Sequence, residues 1–365
     1  MSSNAGVGRV KLFTVGPVAC YPEVLKAMGQ QMYSHRSKEY LELHYETVRL
    51  LQEFISTKNE VFLFSSTGTG FMEASVRNCI RKKMLSCING DFGERFAEVA
   101  EANGITLVKL APPLGQPITP TELDRTLKEN PDVEGVALTH NETSVGLINP
   151  LRELAAIVRK HGKLLFVDAV SSMGGTEINV DELGIDVCFS SSQKCFGVPP
   201  GLGMGSVSER ALNLSATAQN KGWYFDFKLW EEDQKKGRGT PVTSAIPQVA
   251  GLNTALKMIQ RNGGKRWYFD LYKERNTKIR QGIEKIGLST FPQKGSESPT
   301  VNCISAPDGM EGGTIYEKMR QHRYELAQGY GTLKKKTFRI GNMGYIEMSD
   351  IDLMLRDLAS VFSPN

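Results

Sequence analysis

The alternation of short apolar runs with helical patterns predicts an α/β fold, in which a mostly parallel sheet is covered by helices on both faces and a smaller α+β domain follows. Three observations carry this expectation. Apolar strand-like runs recur between residues 61 and 189, separated by helical patterns. Spacers of about ten residues or more fit the right-handed crossovers that parallel strands require. The loops after these runs are polar and rich in Ser, Thr and Gly, as expected where ligands gather beyond the carboxyl ends of strands. Finally, Gly263-Gly264 follows a long helical pattern and marks a hinge. The expected division is an N-terminal segment 1–15, a large domain 16–262 and a small domain 263–365.

Taken in order, Lys11-Leu-Phe-Thr-Val-Gly16 leads into Pro17, and Pro22 opens a helical stretch over 23–31. After His35-Arg36-Ser37, the residues Tyr40, Leu43, Tyr45, Val48, Leu51 and Ile55 recur at helical spacing. Val61–Phe64 reads as a buried strand, followed by Ser65-Ser-Thr-Gly-Thr-Gly70 and a helix through Met72, Ala74, Val76 and Ile80. Strands at 85–88, 105–110, 133–138, 164–167 and 187–189 then alternate with helices over 92–103 and 151–161. Between them, Thr119-Pro-Thr-Glu122 has the hydroxyl, Pro and Glu spacing of a capped helix start. Gly201-Leu-Gly-Met-Gly205 lacks the third glycine of a dinucleotide fingerprint and reads as a strand packed close to its neighbour. A helix over 246–260 precedes the hinge. Beyond it, strands at 301–305 and 337–340 mix with helices over 312–322 and 349–361.

Composition excludes several function classes. The 365 residues carry a net charge of only +4, with no long basic run, so the electrostatic footprint of a nucleic-acid binder is missing. No apolar stretch reaches membrane-spanning length, and residues 1–6 have neither the charged nor the apolar region of a signal peptide. The six cysteines are scattered without ligand spacing and the five histidines suggest no zinc site, so reduced thiols in a cytoplasmic protein are expected, with no metal.

The chemistry concentrates after the strands. Lys194 lies in Ser190-Ser-Ser-Gln-Lys-Cys-Phe-Gly197, with no other charge nearby in sequence. Burial there would disfavour the ammonium form, and a neutral amine is what Schiff-base chemistry needs. The same pattern also suits a lysine at a loop mouth. Asp168 directly follows the apolar run 164–167. A carboxylate so placed needs a cation, such as a protonated pyridine nitrogen, or serves as a turn or cap residue. The run Ser65–Gly70 lies between strand and helix, where hydroxyls and free N–H groups bind phosphate; it is no Walker loop, because the G-x-x-x-x-G-K pattern is absent. His140-Asn-Glu-Thr-Ser144 offers hydroxyls after a strand, and Phe92 opens a helix where an aromatic either stacks on a flat ring or packs into the core. Arg339, between Phe338 and Ile340, needs a carboxylate or phosphate partner, from substrate or from the protein itself.

Together these runs resemble the class V aminotransferases of fold type I, pyridoxal-phosphate enzymes that include serine–glyoxylate, alanine–glyoxylate and 2-aminoethylphosphonate aminotransferases. The resemblance runs from Phe13-Thr-Val-Gly-Pro17, through Phe166-Val-Asp-Ala-Val-Ser-Ser172 and Ser191-Ser-Gln-Lys194, to Thr337-Phe-Arg-Ile-Gly-Asn-Met-Gly344. It implies that Lys194 carries the cofactor and later moves the proton at the substrate Cα, and that Asp168 pairs with the ring nitrogen. It further implies that Phe92 stacks on the ring, Thr143 contacts the phenolic oxygen, and Gln193 lies beside the cofactor. Thr67, Gly68 and Thr69 would hold the phosphate, joined by Thr240 and Thr243 from the partner subunit of a homodimer. Arg339 would clamp the α-carboxylate. Two positions depart from the family pattern: Val145 stands where many relatives have Thr, and Thr69 where some have His.

The implied activity is ping-pong transfer of an amino group from a small amino acid of alanine or serine type to a small 2-oxo acid such as glyoxylate or pyruvate. An aminophosphonate donor is the alternative, with Arg339 gripping the phosphonate. A cysteine desulfurase reading is weaker, because the segment 328–336 has no Cys and Phe92 and Gln193 stand where such enzymes carry His. His35, Arg36, Trp223 and Tyr330 are further residues that the pocket can recruit, or that serve the fold alone.

Overall fold

The computed structural model describes residues 10–362. The expectation that residues 1–6 hold no signal peptide, and most of the expected segment 1–15, lie outside the described residues.

Seven strands form the central sheet: β1 (Glu60–Phe64), β2 (Lys83–Cys87), β3 (Thr106–Leu110), β4 (Gly135–Thr139), β5 (Leu164–Asp168), β6 (Val187–Ser191) and β7 (Gly203–Val207). Their order is β1-β7-β6-β5-β4-β2-β3. Only β7 runs against its neighbours; it is antiparallel to both β1 and β6, and the other pairs are parallel. The expected α/β architecture is therefore present, and β7 is the glycine-rich strand. A Cβ on Gly205 would lie 2.8 Å from the Cys188 carbonyl oxygen, which is the close approach its sequence suggests.

Both faces of the sheet are buried. One packs Val61, Leu63, Leu85, Val136, Leu138, Leu165 and Val167 against the helices Lys38–Ile55, Leu151–Lys160 and Ile246–Arg261. The other stacks Phe62, Phe64 and Phe189 against Phe71 of the helix Gly68–Cys79 and Trp230 of the helix Phe227–Lys235. Full burial of each such side chain is worth about 1.5–3 kcal/mol. The continuous apolar runs of the sequence follow from this two-sided burial. The helix Pro120–Glu129 starts with the expected capping box between Thr119 and Glu122.

After Gly263, which has a left-handed φ of 116°, the helix Gly264–Lys285 runs 22 residues. The strands β8 (Val301–Ser305), β9 (Ala327–Gln328) and β10 (Thr337–Gly341) form a separate antiparallel sheet in the order β8-β10-β9. The helices Gly312–Gln321 and Met348–Val361 pack on it around Ile304, Ile340, Met319 and Met354. The chain's start joins this part: Lys11-Leu12 pairs in parallel with Tyr324-Glu325, and Phe13 is buried in the same cluster. Among the described residues, no helix is long and apolar enough to cross a membrane.

Candidate active site

The ends of β1, β5 and β6 meet at one edge of the sheet and there enclose a cavity of about 230 Å³. Of the residues singled out in the sequence, Thr67, Gly68, Thr69, Phe92, Asp168, Gln193 and Lys194 line it. Register explains the convergence. Asp168 is the last residue of β5, paired with Thr139 of β4 and Phe189 of β6. Lys194 follows the end of β6 by three residues.

The Lys194 amine is buried and donates to the Val15 carbonyl at 2.6 Å. Its passage requires Gly16: a Cβ there would fall 2.7 Å from Lys194 Cδ and 2.8 Å from Nζ, and the φ of +117° is itself strained for any other residue. Burial pulls the lysine pKa down to about 8, against the opposing charge of Asp168. The carbonyl of the next residue, Cys195, accepts hydrogen bonds from Tyr268 and Tyr272, both on the helix Gly264–Lys285. That helix thus fixes the loop carrying the amine, a contact that no local pattern in the sequence announces.

Asp168 accepts a hydrogen bond from the Val170 amide at 2.8 Å, and burial raises its pKa to about 7. Among the described residues, no cationic side chain approaches it within 4.0 Å. A buried carboxylate in this state gains from a cationic partner. Across the cavity, the helix Gly68–Cys79 begins at Thr67 without a side-chain cap, and while the Gly70 amide donates to the Thr67 carbonyl, the Gly68 and Thr69 amides remain available to an anion. A Cβ on Gly68 would lie 2.4 Å from Val170 Cγ2, so only glycine lets this turn approach the end of β5. A buried amine, a buried carboxyl group and an uncapped helix start are the three groups that pyridoxal phosphate requires for its aldehyde, ring nitrogen and phosphate. The residues fit that cofactor.

Other predicted residues stand outside this lining. Thr143 is buried, and its hydroxyl donates to Ser171 Oγ at 2.7 Å. Arg339 is also buried; its Nε donates to the Gln328 carbonyl at 3.0 Å and its Nη1 to the Thr143 carbonyl at 3.0 Å. Among the described residues, no carboxylate lies within 4.0 Å of this guanidinium. Thr240 is buried, with its hydroxyl bonded to the Val242 carbonyl at 2.7 Å, whereas Thr243 is exposed. Neither enters the cavity of its own chain. Arg36 pins that loop by donating to the carbonyls of Arg238 and Thr240, and Trp223 is exposed. Val145 packs with Leu147 and Leu333 in a small apolar cluster away from the cavity lining.

Two residues were not anticipated. Arg95 lines the cavity, its guanidinium carbon 4.9 Å from the Phe92 ring centroid. Its place three residues after Phe92, one helical turn on, was the available signal. Glu142 is fully buried and accepts from the amides of Phe92 (3.1 Å), Gly93 (3.0 Å) and Ser144 (3.0 Å), and from the Ser144 hydroxyl at 2.6 Å. It fastens the start of the helix Asp91–Ala102, and so Phe92, to the loop carrying Thr143. The thiols beside the site are poor nucleophiles: burial pushes Cys195 up to about 12 and Cys303 up to about 11.

The sequence model of the aminotransferase class-V family matches residues 17–352. An uncharacterized aminotransferase of Methanocaldococcus jannaschii is 33% identical over 91% of this chain and 87% of its own length. A serine–glyoxylate aminotransferase of Methylorubrum extorquens is 30% identical over 97% of this chain and 90% of its own. The crystal structure of an alanine–glyoxylate aminotransferase from Nostoc sp. superposes with a TM-score of 0.93 at 29% identity, covering 100% of this chain and 98% of that one.

Proposed function

Since the chain belongs to the class-V aminotransferase family, whose enzymes are pyridoxal-phosphate-dependent transaminases, we propose that it moves an amino group from a small amino acid of alanine or serine type to a small 2-oxo acid. Glyoxylate and pyruvate are the acceptors that this reading favours. Its support comes from the glyoxylate-using relatives and from one observation. The buried Arg339 guanidinium has no carboxylate partner among the described residues; it lies outside the cavity lining, at its rim, near enough to Lys194 for its charge to bear on that amine.

When bound, the cofactor supplies an electron sink for the carbanion formed at Cα. Lys194 would carry it and, once released, take the Cα proton on Nζ and deliver it to the cofactor's C4′ carbon; burial favours the neutral amine this needs. Asp168 would keep a proton on the ring nitrogen. The guanidinium of Arg339 would grip the carboxylate with the part of its fork left free by Gln328 and Thr143, and so fix which Cα bond faces Lys194. Phe92 would form one wall of the ring site, and Thr67, Gly68 and Thr69 would bind the phosphate. Thr143 and Gln193 would border the ring. A homodimer is part of this reading: the exposed Thr243 would reach the phosphate of a neighbouring subunit, whereas the Thr240 hydroxyl is buried and bonded within its own chain and would act only by holding that loop.

Single-turnover mixing separates the donors. Alanine or serine should convert the cofactor spectrum to its aminated form, and glyoxylate or pyruvate should restore it. Conversion by 2-aminoethylphosphonate instead, with alanine and serine inert, would replace this reading.

A further inference from the structure

Tyr330 lies in the segment between β9 and β10, on the small sheet's side of the cavity, and neighbours three site residues. Its ring centroid is 6.2 Å from that of Phe92, and the Arg339 guanidinium carbon lies 5.5 Å from it. Its hydroxyl accepts from Arg95 Nη2 at 3.3 Å. A carboxylate gripped by Arg339 would therefore lie against this phenol.

The backbone around Tyr330 is constructed to hold the ring there. Gly331 has a φ of +51°, and a Cβ on it would come within 2.7 Å of the Asp91 carboxylate at the start of the Phe92 helix. A Cβ on Gly329 would meet the Leu333 carbonyl oxygen at 2.3 Å. The Leu333 amide donates to the Tyr330 carbonyl at 2.9 Å, and the Leu333 side chain is buried against Val145 and Leu147. Tyr330 as a whole remains 37% exposed, so it contributes little to the core.

We propose that Tyr330, braced by Arg95, is the wall that gauges the substrate's side chain and restricts the site to acids with a one-carbon side chain or none. This rests on the transaminase reading and deepens it. The sources of selectivity differ in kind: Arg339 requires the carboxylate, and Tyr330 limits what extends past Cα. A rigid aromatic wall suits the task because one extra methylene against it costs about 10- to 200-fold in kcat/KM.

The test uses the reconstituted full-length enzyme and the donors alanine, 2-aminobutyrate and norvaline. In the wild type, kcat/KM should fall with each added methylene. Tyr330→Ala should flatten that series, raising the norvaline-to-alanine ratio by about tenfold or more. Tyr330→Phe keeps the ring and removes the hydroxyl that Arg95 holds, so it should raise the ratio by a smaller factor. A ratio unchanged in Tyr330→Ala, in protein with the wild-type cofactor spectrum, would overturn the proposal. A second readout needs no turnover: the dissociation constants of acetate, propionate and butyrate, measured by spectral titration. Tyr330→Ala should selectively tighten butyrate, and equal changes for all three acids would count against the wall. If the wild type uses none of the amino donors, the transaminase reading fails on its own, and the carboxylate series still decides the role of Tyr330.

Discussion

The cofactor cavity and the rim above it are built on different principles. In the cavity, Lys194 and Asp168 sit at the ends of parallel strands, each buried and each forced by burial toward its neutral form. At the rim, Arg339 is held by backbone carbonyls from two segments, and Tyr330 is partly exposed on a short irregular segment. On the proposed reading, the sheet would fix the chemistry that every substrate shares. The rim, assembled from the small antiparallel sheet and the loop after β4, can change selectivity without disturbing that chemistry.

If this contrast holds, the largest effect belongs to the cavity. Lys194→Ala should lower kcat by about a thousandfold or more, the scale of a lost general acid–base group, while leaving the thermal midpoint of the apoprotein no lower. Assays of turnover and unfolding on the same preparation check both halves.

Asp168→Asn comes next, with a loss of about a hundredfold in kcat and a gain in apoprotein stability. The sign follows from the raised pKa. The unfolded carboxyl holds a proton only below about 4, whereas the folded one holds it up to about 7. Folding therefore takes up a proton between those values, stability falls as pH rises through the window, and the full penalty persists above it. Thermal unfolding of the apoprotein should show Asp168→Asn more stable than wild type at pH 8, with the gain vanishing below about pH 4.

At the rim the effects should be smaller and confined to substrate. Arg339→Lys replaces a planar fork by a point charge and should raise KM for the amino donor by about tenfold, with a lesser change in kcat. Equal loss in kcat for Arg339→Lys and Asp168→Asn would erase the distinction between the two regions.

The same contrast explains what the sequence disclosed. Asp168 and Lys194 were legible because each follows a run of apolar residues that can only be a buried strand, so a charged group there demands an explanation. The strand order was not legible, and neither was the reversal of β7, because pairing partners leave no local trace. Glu142 lay in a stretch already marked for its hydroxyls, but its role depends on meeting the Phe92 helix across the fold. Tyr268 and Tyr272 reach Cys195 from a helix over seventy residues away in sequence, which periodicity does not reveal. Val145 departs from the family pattern at a place where the structure uses it to seat Leu333, and through it the Tyr330 segment.

The account depends above all on a buried lysine amine that is free to bond an aldehyde. Reductive trapping of the reconstituted protein with borohydride, followed by peptide mapping, tests this directly. The pyridoxyl label should be found on Lys194, with none recovered from Lys194→Ala. A label on another lysine, or a protein that takes up no cofactor, would contradict it.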